Sequence, residues 1–275
     1  MNYRHSFHAG NFADLVKHAL VLWLMKARQA APGAGPVTVL DTHAGAGLYD
    51  LTGDARRSRE AEAGVARLMT ASDRPPLIEA LAAEVAALNP GGGVRFYPGS
   101  PVLIARALRP QDRYIGYELN PDVTGLLVDS LAPFDGAQGQ AGDGYDAVIA
   151  AGRAVSAPLV LIDPPFERPD DYVRSAETAQ ALLAADAGTT VAIWTPLKDM
   201  ETFDGFLRRL GNPAGASVLV AEARLRALTN PMTLNGCAMV VVNPPPGTEQ
   251  AAAEICGWVA TTLGETGARG EVWWA

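Results

Sequence analysis

Four apolar residues, Leu159-Val160-Leu161-Ile162, run without a polar interruption into Asp163-Pro164-Pro165-Phe166. A strand that is apolar at every position cannot keep one face in water. It belongs in a sheet covered on both sides, which implies parallel strands flanked by helices. Asp163 then emerges at the carboxyl end of a central strand, where open α/β sheets place ligands. The two prolines hold the backbone extended and remove two amide donors, and an aromatic ring follows at once.

The rest of the chain fits this architecture. Residues 11–29 repeat Phe12, Leu15, Val16, Ala19, Leu22 and Trp23 at helical spacing, with Asn11 as N-cap and with Asn11, Asp14 and His18 on the polar face. A Pro/Gly stretch at 32–36 ends the helix, and a short strand at 37–40 leads into Asp41-Thr42-His43-Ala44-Gly45-Ala46-Gly47. Residues 48–89 change character: a charged stretch, two helical patterns at 60–69 and 76–88, and a terminating Pro90-Gly91-Gly92-Gly93. They read as a helical insertion between the first strand and the rest of the sheet. Strands at 94–97, 112–118, 159–162 and 190–195 follow, with helices from Ser100 and Pro121 between them. Two long late strands, 217–228 and 236–243, predict an antiparallel addition at one edge.

Composition narrows the class. With 48% hydrophobic and 19% charged residues over 275 positions the chain is globular. The formal charge of −8 means that any nucleic-acid contact must come from a local basic patch. The opening residues carry Arg4, His5 and His8 instead of an apolar signal core, and the apolar run at 19–25 is closed by Lys26, too short for a bilayer. Cys237 and Cys256 lack a partner motif and read as core residues in a reducing compartment. The expectation is a soluble cytoplasmic protein with no membrane association. All four histidines, His5, His8, His18 and His43, precede the end of the glycine-rich turn, but with no cysteine beside them a metal site is not expected.

Three further features bear on ligands. The glycines of the turn at 41–47 let backbone approach a dinucleotide or a nucleoside, or simply permit a tight turn. Glu118, ending the strand at 112–118, can accept both hydroxyls of a ribose, or it can be a solvated strand-end carboxylate. Asp143-Gly144 stands where a third strand-end loop falls; it can meet an adenine amino group or be an ordinary Asp-Gly turn. Asp163-Pro164-Pro165-Phe166 is more specific. A carboxylate and the Pro164 carbonyl offer two acceptors beside a flat ring, which is what an exocyclic amine on a planar base requires. Its lone pair is delocalised, and acceptors at both N–H bonds favour the geometry that frees it and stabilise the charge that develops on nitrogen. Stacking on Phe166 is worth about 1–3 kcal/mol.

These motifs together resemble the class I amino-methyltransferases. The run Tyr3-Arg4-His5-Ser6-Phe7-His8-Ala9-Gly10-Asn11, with Ala13-Asp14, Lys17-His18, the turn at 41–47, Pro98-Gly99-Ser100-Pro101 and Asn243-Pro244-Pro245, is similar to the large-subunit rRNA adenine-N6 methyltransferase J family over nearly the full length. The resemblance implies a Rossmann-like α/β fold with a mostly parallel seven-stranded sheet and helices on both faces. Its methyltransferase domain is formed by residues 1–47 and 95–275, with a cofactor-covering motif and helix in 1–30 and an inserted helical subdomain at 48–94. It implies S-adenosylmethionine as cofactor, released as S-adenosylhomocysteine, held by Lys17, His18, His43, Gly45, Ser100, Glu118, Asp143, Gly144 and Asp163. It assigns catalysis to Asp163 with Pro164 and Phe166, and the substrate to one adenine of 23S rRNA. Phe166 departs from the more usual tyrosine and so loses a hydroxyl. Tyr3, Arg4 and His5 are expected to reach cofactor or base, and Arg56, Arg57, Arg59 and Arg67 to face RNA, although Glu60 and Glu62 dilute that patch. No protein partner is implied, and a monomer is expected. The alternatives are a guanine-N2 or cytosine-N4 methyltransferase, a nicotinamide-dependent enzyme that leaves the Asp163 motif unexplained, and an inactive nucleic-acid-binding relative.

Overall fold

The computed structural model describes residues 8–52, 59–168, 170–230 and 233–275. Helix α1 (Phe12–Ala30) starts at Asn11, whose side chain accepts from the Asp14 amide at 3.0 Å. Strand β1 (Thr38–Asp41) follows, and after the glycine turn β2 (Leu48–Asp50) runs antiparallel to β3 (Phe96–Pro98) in a two-stranded ladder of their own. Between these two lie α2 (Glu60–Ala63), α3 (Val65–Thr70) and α4 (Pro76–Ala87). The chain continues as α5 (Ser100–Ala107), β4 (Arg113–Glu118), α6 (Pro121–Leu131), β5 (Ala137–Ala141), α7 (Gly144–Gly152), β6 (Leu159–Ile162) and α8 (Asp171–Ala185). It ends with β7 (Thr190–Leu197), α9 (Met200–Leu210), β8 (Val218–Arg224), β9 (Gly236–Val242), α10 (Thr248–Leu263) and β10 (Arg269–Trp274).

The main sheet has the order β10-β8-β9-β7-β6-β1-β4-β5. The five strands from β7 to β5 are parallel, and β9, β8 and β10 add to β7 in successive antiparallel pairs. The late antiparallel addition is therefore present, but the sheet has eight strands where seven were expected, because residues 269–274 pair with β8. The strand expected at 94–97 also differs. It does not join this sheet, since the chain leaving the glycine turn offers β2 as a nearer partner.

Burial explains the uninterrupted apolar runs. In β1, Val39 faces one core cluster and Leu40 the other; in β6, Leu159 and Leu161 face the first, Val160 and Ile162 the second. The first cluster includes α1, α4 and α10, and the second α7, α8 and α9. Side chains of β6 are essentially fully buried, each worth roughly 1.5–3 kcal/mol. Val65, Leu68, Ile78, Leu81 and Val85 of the intervening helices join the same cluster as Leu15 and Leu24 of α1. Those helices therefore add to the main core and do not form a separate one. The junction is close: the Val65 amide donates to the Gly10 carbonyl at 2.8 Å, and a Cβ at Gly64 would lie 2.2 Å from that oxygen. No helix among the described residues is long and apolar enough to cross a membrane.

Candidate active site

β1 pairs with β4 on one side and with β6 on the other, so the order in which strands are added reverses at β1 and a crevice opens at the carboxyl ends. A cavity of about 750 Å³ lies there, within the usual range of small-molecule sites. Its wall contains Lys17 and His18 from α1, His43 from the glycine turn, Ser100 from the start of α5, and Asp163, Pro164 and Phe166 from the loop after β6. Residues 146 positions apart thus meet: the Lys17 ammonium donates to Asp163 Oδ2 at 2.6 Å and lies 2.8 Å from Asp14 Oδ1.

The electrostatics follow from burial with a single ammonium between two carboxylates. Burial opposes the charge on Lys17, but Asp14 and Asp163 outweigh it and hold the amine protonated well above its ordinary range. The ammonium is shared by both carboxylates, at 2.6 Å from Asp163 and 2.8 Å from Asp14. Against the cost of burial, Lys17, His18 and the Gly10 amide bring Asp14 down to about 2. Asp163 is pushed up to about 7, chiefly by burial, with Lys17 only partly offsetting the cost and with Asp14 and Asp41 adding repulsion. Burial lowers His18 to about 3, so its ring is neutral. Tyr97 lies 2.8 Å from His18 Nδ1; the arrangement that satisfies both neighbours has Tyr97 donating there and Nε2–H facing Asp14 Oδ1, 3.9 Å away.

Beneath the turn, Asp41 is completely buried. Its Oδ2 accepts from Ser100 at 2.9 Å and Tyr114 at 3.0 Å, and Oδ1 from the His43 amide at 3.2 Å. Burial nonetheless raises it to about 6, against these donors. Ser100 and His43 are thereby tied to one buried carboxylate. Thr42 Oγ1 lies 2.7 Å from His43 Nδ1, and the imidazole meets Tyr145 edge-on at 4.8 Å.

On the β4 side, Glu118 accepts from the Gly45 amide at 3.2 Å and the Asn120 amide at 2.8 Å. This fixes the carboxylate at the lip of the turn. Asp143 caps α7 through the Tyr145 amide, and both its oxygens are gripped by Arg174 at 2.9 Å. That ion pair holds Asp143 below the usual carboxylate range despite partial burial. Gly144 packs directly on the turn: a Cβ there would lie 1.8 Å from the Thr42 carbonyl oxygen. Gly45, Glu118, Asp143 and Gly144 stand beyond the cavity wall itself, around the far side of the turn.

One expectation is modified. Phe166 was expected to offer a free stacking face, but its ring packs 4.5 Å from Tyr172 and 5.9 Å from Trp194 and the residue is only 8% exposed. The cavity meets an aromatic cluster at this point, with Trp194 beside Phe166 in the wall. Phe166 also adopts a φ of +51°, an uncommon backbone state for a side chain of this size. Of the arginines expected to face RNA, Arg59 is exposed just ahead of α2, and the Arg67 guanidinium donates to the Thr262 and Leu263 carbonyls of α10. Tyr3, Arg4, His5, Arg56 and Arg57 lie outside the described residues. Sequence reasoning assigned no site role to Asp14, Asp41, Tyr97 or Trp194. Only Asp14 carried a readable signal, three positions before Lys17 on one helix. Among the described residues no group of three or more His, Cys, Asp or Glu side chains is arranged to hold a metal ion.

A family model described as "Ribosomal RNA large subunit methyltransferase D, RlmJ" matches residues 34–275. Proteins named ribosomal RNA large subunit methyltransferase J from Escherichia coli (strain K12) and Haemophilus influenzae (strain Rd) are each 32% identical to the chain, over 96% of its length and 94% of theirs. The crystal structure of a Legionella pneumophila (strain Philadelphia 1) protein superposes with a TM-score of 0.84 at 23% identity, covering 97% of this chain and 98% of that one. That likeness establishes the fold.

Proposed function

This chain belongs to the ribosomal RNA large subunit methyltransferase J family, and on that premise we propose that it methylates the exocyclic N6 amine of one adenine in 23S rRNA, using S-adenosylmethionine, as a soluble enzyme of the cytoplasm. The observation that carries the reading is Asp163 standing in the same cavity as His43 and Ser100 of the β1 crevice, facing Lys17.

The residues present suit the cofactor. Glu118, held by two amides at the end of β4, would accept the ribose hydroxyls, and Gly144 keeps the floor of the turn free of a side chain. His18, His43 and Ser100 offer polar groups to the amino-acid end, with Lys17 beside them. When bound, S-adenosylmethionine supplies an electrophilic methyl group on a sulfonium. Asp163 accepts from the adenine N6–H while Lys17 holds its other oxygen, and the Pro164 carbonyl takes the second N–H. Together they hold the amine with its lone pair free of the ring and stabilise the charge that develops on nitrogen. A base within a duplex cannot present N6 this way, so the target adenine is unpaired or flipped.

Two outcomes test the parts. Glu118→Ala weakens S-adenosylmethionine binding by about 10- to 100-fold, the worth of a hydrogen-bonded charged acceptor, in a calorimetric titration. Single-turnover methyl transfer rises with pH and levels off above about 7, because the accepting form of Asp163 is the carboxylate and burial has raised its pKa. A rate flat from pH 5.5 to 8 contradicts this assignment. The activity itself is tested with labelled methyl donor and unmodified 23S rRNA, digested to nucleosides. N6-methyladenosine supports the proposal; label in guanosine or cytidine, or none at all, refutes it.

A further inference from the structure

We propose that Asp14 is a positioning residue for methyl transfer: by sharing the Lys17 ammonium, it leaves Asp163 only partly neutralised and its Oδ1 available to the acceptor amine. The inference rests on the reading of Asp163 as the residue that grips the amine.

The geometry is specific to Asp14. Its two oxygens have separate duties. Oδ2 accepts from the Gly10 amide at 2.9 Å, and Oδ1 meets Lys17 Nζ at 2.8 Å with His18 Nε2 at 3.9 Å. Gly10 itself has a φ of +77°, and its carbonyl is bonded to Val65, so Asp14 is anchored on a rigid turn. The Lys17 ammonium therefore cannot neutralise Asp163 alone. If it did, a buried one-to-one ion pair would compete directly with the substrate amine for the carboxylate. Sharing the cation with Asp14 weakens that competition while keeping Lys17 charged.

Asp163 is faced by Lys17 and Asp14 from α1, by Asp41 from the end of β1, and at longer range by Tyr49 of β2. Of these, Asp14 acts on it twice. It repels the ionised carboxylate directly, and it draws off the ammonium that would stabilise it. Removing the Asp14 charge changes both effects in the same direction, towards easier ionisation of Asp163.

The test is the pH dependence of single-turnover methyl transfer by the full chain, with Asp14→Asn and Asp14→Ser as neutral variants; Ser can still accept from the Gly10 amide. Both are expected to move the midpoint of the rate profile down by about one pH unit. They also lower the plateau rate by about tenfold, the equivalent of one strengthened charged hydrogen bond to be broken. The KM for RNA is unchanged, and Asp14→Glu recovers the wild-type midpoint. A midpoint that stays in place in a folded, cofactor-binding neutral variant overturns the inference. Should both neutral variants fail to fold, carboxyl 13C titration of the intact protein decides. Asp14 ionised throughout while Asp163 titrates is the required pattern, and the reverse overturns it. If the wild-type protein leaves adenine in unmodified 23S rRNA untouched, the functional reading fails instead; the titration still reports on Asp14.

Discussion

Asp163→Ala is expected to reduce kcat for methylation of 23S rRNA by about 10²–10³-fold or more, the scale seen when one preorganised group that stabilises developing charge is removed. Affinity for S-adenosylmethionine should change little by comparison. The variant should also remain folded, and the reason is electrostatic. Lys17 keeps Asp14 at 2.8 Å, so no buried ammonium is orphaned. Asp163 has a folded pKa of about 7, raised from 3.8 mainly by burial. A carboxyl whose pKa is raised on folding opposes folding once it must ionise, and the cost grows as pH climbs from the unfolded value through the folded one. At pH 8 its removal should therefore leave Tm unchanged or higher. Differential scanning calorimetry at pH 8 beside a single-turnover assay checks both halves. A variant that loses activity and also melts well below wild type would mean that Asp163 serves the fold, and the catalytic assignment would lose its support.

The second large effect is structural. Gly144→Ala places a methyl group 1.8 Å from the Thr42 carbonyl oxygen, far inside contact distance. Neither side can yield cheaply. The Thr42 amide is bonded to the Leu161 carbonyl at 3.0 Å, tying the turn to β6, while Tyr145 and Val148 fix α7 in the core. Overpacking of this kind costs up to about 3 kcal/mol or more, which in a chain of this size corresponds to a fall in Tm of roughly 6–12 °C. Because Thr42 precedes His43, cofactor affinity should fall as well. Gly142→Ala, two residues earlier with nothing within 4 Å of the added carbon, is the control and should be nearly silent. Equal melting temperatures for the two variants would show that the close approach of α7 to the turn is not a constraint.

Much of this molecule is legible in its sequence, for identifiable reasons. The strand before Asp163 is apolar at every position because both sheet faces are covered. The N-cap of α1 and the late antiparallel pair are equally local signals. β5, by contrast, reads Ala-Gln-Gly-Gln-Ala. It lies at the open edge of the sheet, is largely exposed, and carries no hydrophobic period to detect. β3 is visible as a strand, but nothing nearby in the chain says that it pairs with β2 instead of entering the main sheet. Asp143 reads as a turn residue or a ligand contact; its bidentate ion pair with Arg174, 31 positions away, is a product of tertiary packing. The same holds for Lys17. Its spacing from Asp14 is a helical i,i+3 pair, whereas its bond to Asp163 exists only once α1 lies across the carboxyl end of β6.

The reversal of strand order at β1 carries one more consequence. Glu118 and Asp143 stand on one flank of that strand and Asp163, Phe166 and Trp194 on the other; in the function proposed above, methyl donor and methyl acceptor are then served by different halves of the molecule. On that proposal, a change in the choice of amine is expected to leave recognition of the donor intact. Asp41, at the tip of β1 and within electrostatic reach of both flanks, is the place where such independence should break down.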